Sequence, residues 1–365
     1  MRCPRARGAA LCMSFSFNFS ANDASEASTP AEPELELRPA TEHSIAEVNP
    51  DAADWPVEEV PVPGDKHSKT LRKRALPESR LSQLLEAEAC PASASGDMDN
   101  SDLLTNVYEG GFKLWECARD LLQVVSESSA RGELELQGAA VLEAGCGAGL
   151  PGLLAMQLGA ARLVLQDFNP GVLRAVTMPA VQLNGLLARA QAADVRFIGG
   201  DWSCVGEKLA RECADANGSG SQLQGLFEDA PKATPGFDLI LTADTIYNVE
   251  ATPRLWKLIA EQLRPGGVAL VAAKSYYFGV GGSIAAFSAL VAADTRFECS
   301  SIATFEDGRS NRREVLRVRW VTERRAPASE SVASEESAGG LKRERAATSI
   351  LDAKCPRAEA ARESQ

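Results

Sequence analysis

The stretch Val141–Gly152, VLEAGCGAGLPG, decides how this chain folds. An apolar run ends in Glu143, three alternate glycines follow (Gly145, Gly147 and Gly149), and a helix-like run comes next. That order reads as a strand, a tight loop and the opening of a helix. Glycine lets a backbone turn sharply and approach a ligand closely. The first turn of the helix then presents N–H groups that no helical carbonyl uses. Gly147, Gly149 and Gly152 also fit the dinucleotide spacing G-x-G-x-x-G, with Asp167 in the downstream acidic position. Glu143 argues the other way: a carboxylate there suits an amino group and sits badly beside a pyrophosphate. A glycine-rich turn that holds no ligand is the plainest alternative.

Outward from this loop, strand-like and helix-like runs alternate. Short, nearly unbroken apolar runs lie at 139–144, 162–167, 194–199, 237–243 and 267–274. Helical runs separate them at 150–159, 171–190, 203–213 and 251–264. Unbroken apolar strands are the mark of parallel strands buried on both faces, and repeated βα units give an open sheet covered by helices. A helix at 283–293 and two alternating runs at 295–304 and 312–321 predict an antiparallel hairpin at the sheet edge. The expected fold is therefore α/β: one Rossmann-like domain with a seven-stranded, mostly parallel sheet and helices on both faces. Leu114, Cys117, Ala118, Leu121, Leu122 and Val125 recur at helical spacing and predict a helix ahead of the first strand. Asn217–Pro235 reads as a surface insertion.

The flanks read differently. The domain is expected over 101–321. Residues 1–100 are expected to be mostly disordered apart from a short docking motif at 13–19, and residues 322–365 form a disordered tail. Within the first region, Trp55–Pro63 is an extended, Pro-punctuated segment suited to lie on the domain surface. Lys66–Arg74 is a basic run, either a solvated charge cluster or a nuclear-import signal. The Arg-rich first 12 residues read as a transit peptide or, preferred here, as an extension ahead of a second start at Met13.

The chain has 365 residues, 45% hydrophobic and 24% charged, which is enough apolar material for a real core. A net charge of −12 argues against direct nucleic-acid binding. No apolar run reaches the roughly 18–20 residues of a membrane span. Nine cysteines are scattered without a C-x-x-C pair, and the two histidines, His43 and His67, both precede the domain, so no metal site is expected.

Ligands of open α/β sheets sit at the C-terminal strand ends. The first end carries Gly145, Cys146, Gly147 and Gly149. The second carries Asp167, Phe168 and Asn169; an acid there can grip two ribose hydroxyls, and its neighbours can line a base. Gly200, Asp201 and Trp202 follow the third, where Asp201 can accept from an adenine amino group and Trp202 can flank the ring. Thr242, Asp244 and Tyr247 mark the fourth: Thr242 can line the same ligand, and Asp244 and Tyr247 stand where a second reactant would meet it. Trp115 and Glu116 open the first helix and can edge the same crevice. Each has a structural alternative: Asp167, Asn169 and Asp201 as helix caps, Trp115, Trp202 and Tyr247 as core, Glu116 as a residue favouring the helix dipole.

The pattern E-x-G-x-G-x-G resembles motif I of class I methyltransferases, which bind S-adenosylmethionine. The segments Gly110–Cys117 (GGFKLWEC), Leu165–Asn169 (LQDFN), Thr177–Asn184 (TMPAVQLN), Asp238–Asn248 (DLILTADTIYN) and Lys274–Gly282 (KSYYFGVGG) are more specific. They resemble the histidine protein methyltransferase family, a seven-β-strand group whose eukaryotic members methylate a histidine in a large-subunit ribosomal protein. MSFSFNF at Met13 is similar to that family's start. Where the family usually shows Ser then Glu after the fourth strand, this chain has Ala243 and Asp244, an acid one methylene shorter. The resemblance implies S-adenosylmethionine as cofactor, a protein substrate of the ribosomal large subunit, a monomer, and work in cytoplasm or nucleus. An imidazole, with an ordinary pKa of about 6.5, is already a nucleophile at neutral pH. The chain would then need mainly to position it, with Asp244 accepting its N–H and Tyr247 and Tyr276–Gly282 holding the substrate backbone. A protein-lysine methyltransferase, an inactive binding module and an NAD-dependent oxidoreductase are the competing readings. The Leu263–Gly267 segment (LRPGG) resembles a methyltransferase hairpin and weighs against the last.

Overall fold

Val141 and Leu142 are neighbours in sequence, yet they are buried in two different cores. Val141, Leu163, Leu165, Leu239 and Leu241 face one core, and Leu142, Val164, Ile198 and Ile240 face the other. A sheet with period-two side chains and both faces covered demands this, and it is why its strands lack polar alternation.

The computed structural model describes residues 37–65, 68–88, 108–218, 236–308 and 311–321. In chain order the elements are β1 (Thr41–His43), β2 (Val57–Pro61), β3 (Thr70–Arg74), α1 (Glu78–Glu88) and α2 (Glu116–Ala130). Then come β4 (Ala140–Ala144), α3 (Leu150–Gln157), β5 (Arg162–Asp167), α4 (Pro170–Val172), a π turn (Leu173–Thr177), α5 (Met178–Leu183) and α6 (Leu187–Gln191). The chain continues through β6 (Val195–Gly199), α7 (Trp202–Gly218), β7 (Phe237–Ala243), α8 (Thr252–Gln262), β8 (Leu263–Lys274), α9 (Ile284–Ala293), β9 (Phe297–Phe305) and β10 (Arg313–Trp320).

The main sheet has the order β1-β6-β5-β4-β7-β8-β10-β9. β6, β5, β4, β7 and β8 are parallel, and β10 and β9 form the expected antiparallel edge. The sheet has eight strands rather than the expected seven because β1 pairs antiparallel with β6, Glu42 opposite Ile198.

That strand belongs to a region expected to be mostly disordered. Residues 37–65 and 68–88 instead carry β1, the antiparallel β2–β3 ribbon and α1. Trp55, Val60, Val62 and Leu71 are buried in the same core as α2 and α3. The apolar anchors are few and far apart, so no helical or strand period announces them. Asn184 fixes the ribbon: its amide oxygen accepts from the Arg72 N–H (3.0 Å) and its NH₂ donates to the Arg72 carbonyl (2.7 Å). Lys73 of the basic run is buried and paired with Glu58 at 2.9 Å. The docking motif at 13–19, His67, most of the 217–235 insertion and the tail from 322 lie outside the described residues.

Two boundaries differ from the pattern. The run at 171–190 is broken into α4, the π turn, α5 and α6. Pro179 has no N–H and its ring crowds the carbonyl four residues back, so the helix widens there. Gly185, at φ +76°, then ends α5, with Leu186 N–H donating to the Val181 carbonyl at 3.1 Å. β8 begins at Leu263, earlier than the expected 267, and Gly266 turns within it at φ +84°. Among the described residues no helix is long and apolar enough to cross a membrane.

Candidate active site

The glycine loop lies at the C-terminal end of β4, with Gly145, Gly147 and Gly149 all at positive φ (+62°, +49° and +69°). The strand ends beside it hold the loop through its backbone. Asp167 Oδ2 accepts from Gly147 N–H at 2.9 Å, and its Oδ1 accepts from Asn169 N–H at 3.0 Å. Gln166 Oε1 accepts from Gly145 N–H (3.0 Å) and from Trp202 Nε1 (2.9 Å). The π turn brings in Thr177, whose hydroxyl donates to the Gly147 carbonyl at 2.5 Å. A residue larger than glycine at 152 would place its Cβ 2.7 Å from Glu143 Oε2, which accepts from Gly152 N–H at 2.7 Å.

These residues wall a crevice of about 850 Å³. Of the residues expected at a cofactor, Trp115, Glu143, Gly145, Cys146, Gly147, Asp167, Phe168, Gly200, Asp201 and Trp202 line it. Four do not. Gly149 turns the loop behind it. Asn169 is wholly buried and uses its Oδ1 to accept from Glu109 N–H at 3.1 Å. Thr242 is wholly buried and bonds the Ala144 carbonyl at 2.8 Å and the Thr245 hydroxyl at 2.6 Å. Glu116 turns to Lys274, 3.2 Å away. Asp201 reaches the crevice but is engaged in the wall: it caps Ser203 N–H at 2.8 Å and pairs with Arg254 at 3.0 Å.

The electrostatics of this crevice are acidic. Burial, above all, pushes the Glu143 carboxyl up to about 8; the Gly152 N–H opposes the shift and the charge of Asp167 adds to it. A cation placed between these acids relieves that cost, and a pyrophosphate compounds it. The electrostatics therefore suit a ligand that brings an ammonium group better than one that brings a pyrophosphate.

A second crevice, of about 790 Å³, opens beside the first. Lys274, Tyr276, Tyr277, Phe278, Val280 and Asn311 line it, and Glu109, Trp115, Asp244 and Tyr247 line both crevices. Those four form the neck between them. Asp244 stands at φ +55°, a left-handed angle that a non-glycine residue adopts at a cost. Its N–H donates to the Ala272 carbonyl at 2.9 Å. Its Oδ2 accepts from Cys117 N–H at 3.1 Å and its Oδ1 from the Tyr277 hydroxyl at 2.8 Å. The N-cap position of α2 is Trp115, whose side chain makes no cap bond, so Asp244 caps that helix from the end of β7. Burial raises the pKa of Asp244, opposed by the charge of Lys274 and by its hydrogen bonds. The Tyr247 hydroxyl donates to Glu109, and the Tyr247 and Tyr277 rings meet edge to face at 6.3 Å.

The outer wall is the loop from Tyr276 to Gly282. Gly282 N–H donates to the Tyr247 carbonyl at 2.9 Å, and a Cβ there would lie 2.1 Å from the Ile246 carbonyl oxygen. Tyr276 and Phe278 are exposed and pack edge to face at 5.0 Å.

Sequence reading gave no role to Glu109, Thr245 or Arg254. Glu109 directly precedes GGFKLWEC, and its position next to that segment was the available signal. It also missed Arg38, whose guanidinium lies 4.6 Å over the Phe168 ring and whose carbonyl accepts from Asp201 N–H at 2.9 Å. Among the described residues no cluster of three or more His, Cys, Asp or Glu is arranged to hold a metal.

No family model matches the chain. It is similar to a histidine protein methyltransferase 1 homolog of Dictyostelium discoideum, 36% identical over 221 residues, covering 60% of this chain and 61% of that protein. It is also similar to a histidine protein methyltransferase 1 homolog of Rattus norvegicus, 30% identical over 273 residues, covering 74% of this chain and 72% of that protein. Among solved structures it resembles magnesium protoporphyrin IX methyltransferase from Synechocystis PCC 6803 with bound SAM, at 15% identity and TM-score 0.37, covering 57% of this chain and 85% of that one. The chain thus spans about three fifths of the length of the first of these relatives.

Proposed function

This chain belongs to the histidine protein methyltransferase 1 family, and we propose that it transfers a methyl group from S-adenosylmethionine to a histidine imidazole of a protein. The acceptor we infer is a large-subunit ribosomal protein, met in the cytoplasm or nucleus by a monomer of this chain; the resemblance of the GGFKLWEC and KSYYFGVGG segments to the family supports it.

The observation that carries the reading is the neck. Two crevices meet there, and Glu109, Trp115, Asp244 and Tyr247 belong to both. Bound S-adenosylmethionine supplies a methyl carbon made electrophilic by its sulfonium. In the first crevice Glu143 and the loop from Gly145 to Gly149 suit its methionine end, Asp167 its ribose, and Phe168 and Trp202 its base. In the second, Tyr276 to Gly282 offer apolar and aromatic surface to the acceptor chain. Asp244 and Tyr247 stand at the reacting centre.

The charge of the neck favours imidazole over an amine. A lysine arrives as a cation, and two carboxylates hold it in that unreactive form. An imidazole arrives mostly neutral and becomes positive as it is methylated, so the same carboxylates favour the transition state over the ground state.

Transfer of label from S-adenosylmethionine into a lysate, followed by residue-level analysis of the labelled band, tests this. Methylhistidine on one large-subunit ribosomal protein is expected. Methyllysine would overturn the acceptor, and absence of both label and calorimetric cofactor binding would overturn the activity.

A further inference from the structure

We propose that Glu109 is the group that accepts the N–H of the acceptor imidazole, and that Asp244 acts through it and Trp115 as a positioning residue. The assignment rests on the histidine methyltransferase reading above and decides which residue of the neck touches the substrate.

The two carboxylates of the neck differ in exposure: Asp244 is buried and Glu109 is half-buried. Asp244 is only 8% exposed, and each of its oxygens accepts from the protein: Oδ2 from the first turn of α2, Oδ1 from the Tyr277 hydroxyl. It fixes the start of α2, and with it Trp115, whose Nε1 donates to the Gly110 carbonyl at 3.0 Å. The result is a braced loop from Glu109 to Trp115. Glu109 stands at the head of that loop and faces both crevices. Its backbone N–H is held by Asn169, behind the cofactor wall, and its carboxylate is held by the Tyr247 hydroxyl. Gly111 follows so closely on the wall that a Cβ there would lie 3.0 Å from Asp167 Oδ2. The carboxylate is thus tied to the wall where the donor would sit while it reaches the acceptor crevice.

The chemistry asks for such a group. A neutral imidazole carries its proton on one nitrogen and its lone pair on the other. A carboxylate that accepts the N–H selects the tautomer and turns the bare nitrogen toward the neck. That nitrogen forms the new N–C bond with its lone pair, and the S–C pair stays with the departing thioether. The product is a methylimidazolium whose remaining N–H still meets Glu109, and its proton leaves to water after release. The hydrogen bond becomes charge-assisted on both sides as the reaction proceeds, so it strengthens where it speeds the reaction.

The test uses the full chain, labelled S-adenosylmethionine and purified large ribosomal subunits as acceptor. It compares the wild type with Glu109→Gln, Glu109→Ala and Asp244→Asn. Turnover, KM, the ratio of the two N-methylhistidine isomers and cofactor affinity by calorimetry are read for each. Glu109→Gln keeps an acceptor for Tyr247 and loses the charge; its kcat should fall on the order of 100-fold with cofactor affinity unchanged. Glu109→Ala should yield both isomers where the wild type yields one. Asp244→Asn should slow turnover and still yield one isomer. Wild-type rates and a single isomer from both Glu109 variants would overturn the assignment, as would mixed isomers from Asp244→Asn alone. A wild type that forms no methylhistidine would instead overturn the reading on which the assignment rests.

Discussion

The two crevices that meet at Asp244 are built in opposite ways. The cofactor side consists of strand ends whose carboxylates and amides hold backbone N–H groups at 2.7–3.0 Å, as Glu143 holds Gly152 and Asp167 holds Gly147. The acceptor side consists of loops and rings: Tyr276 and Phe278 are exposed, and Gly282 ties the loop to Tyr247. A small, invariant ligand is matched by fixed dipoles that need no rearrangement. The proposed protein acceptor would meet aromatic surface, which offers contact area at little entropic cost. The contrast implies that the two sides can be damaged separately.

The largest separate effect is expected at Gly282. A Cβ there meets Ile246 and Tyr247 backbone atoms at 2.1–2.4 Å, so Gly282→Ala must push the acceptor loop off the neck. Methylation of large ribosomal subunits should fall by roughly 100-fold or more, as misplacement near reacting atoms does. Cofactor binding by calorimetry should stay within threefold (~0.7 kcal/mol). Loss of both would show that the two sides are one cooperative unit.

On the cofactor side, Glu143→Gln should weaken S-adenosylmethionine binding by roughly 10- to 100-fold, the worth of one charged hydrogen bond. It should also stabilise the free protein. The folded carboxyl titrates at about 8 and the unfolded one near its ordinary 4.5, so between these values the folded state holds the extra proton. Stability conferred by this group therefore falls as pH rises from 4.5 to 8, and the melting temperature of the variant should pull ahead of the wild type across that window. A constant gap from pH 4.5 to 8 would contradict the burial account.

The smallest effect is expected at the acceptor rim. Phe278 is 77% exposed, so Phe278→Ala should change stability by less than about 0.5 kcal/mol. KM for the proposed ribosomal acceptor should rise several-fold (~1 kcal/mol) with kcat and cofactor affinity intact. A fall in kcat alone would move this residue from the rim to the reacting centre.

The parallel core of the sheet and most of the cofactor wall were legible in the sequence alone. Period-two burial on both faces writes β4, β5, β6 and β7 as unbroken apolar runs, and the acids that hold the glycine loop lie at their ends. Such features are encoded within one or two turns of chain, where residue type and spacing are enough. Only the tertiary structure decided the rest. The Tyr247 hydroxyl meets Glu109 across 138 residues, and Cys117 N–H meets Asp244 across 127. The Asn184 clamp on Arg72 spans 112, and β1 reaches β6 from a stretch with no period of its own. A buried donor or acceptor must find a partner, but linear order does not say which distant one comes within 3 Å, so the neck where the two crevices join exists only in the folded chain.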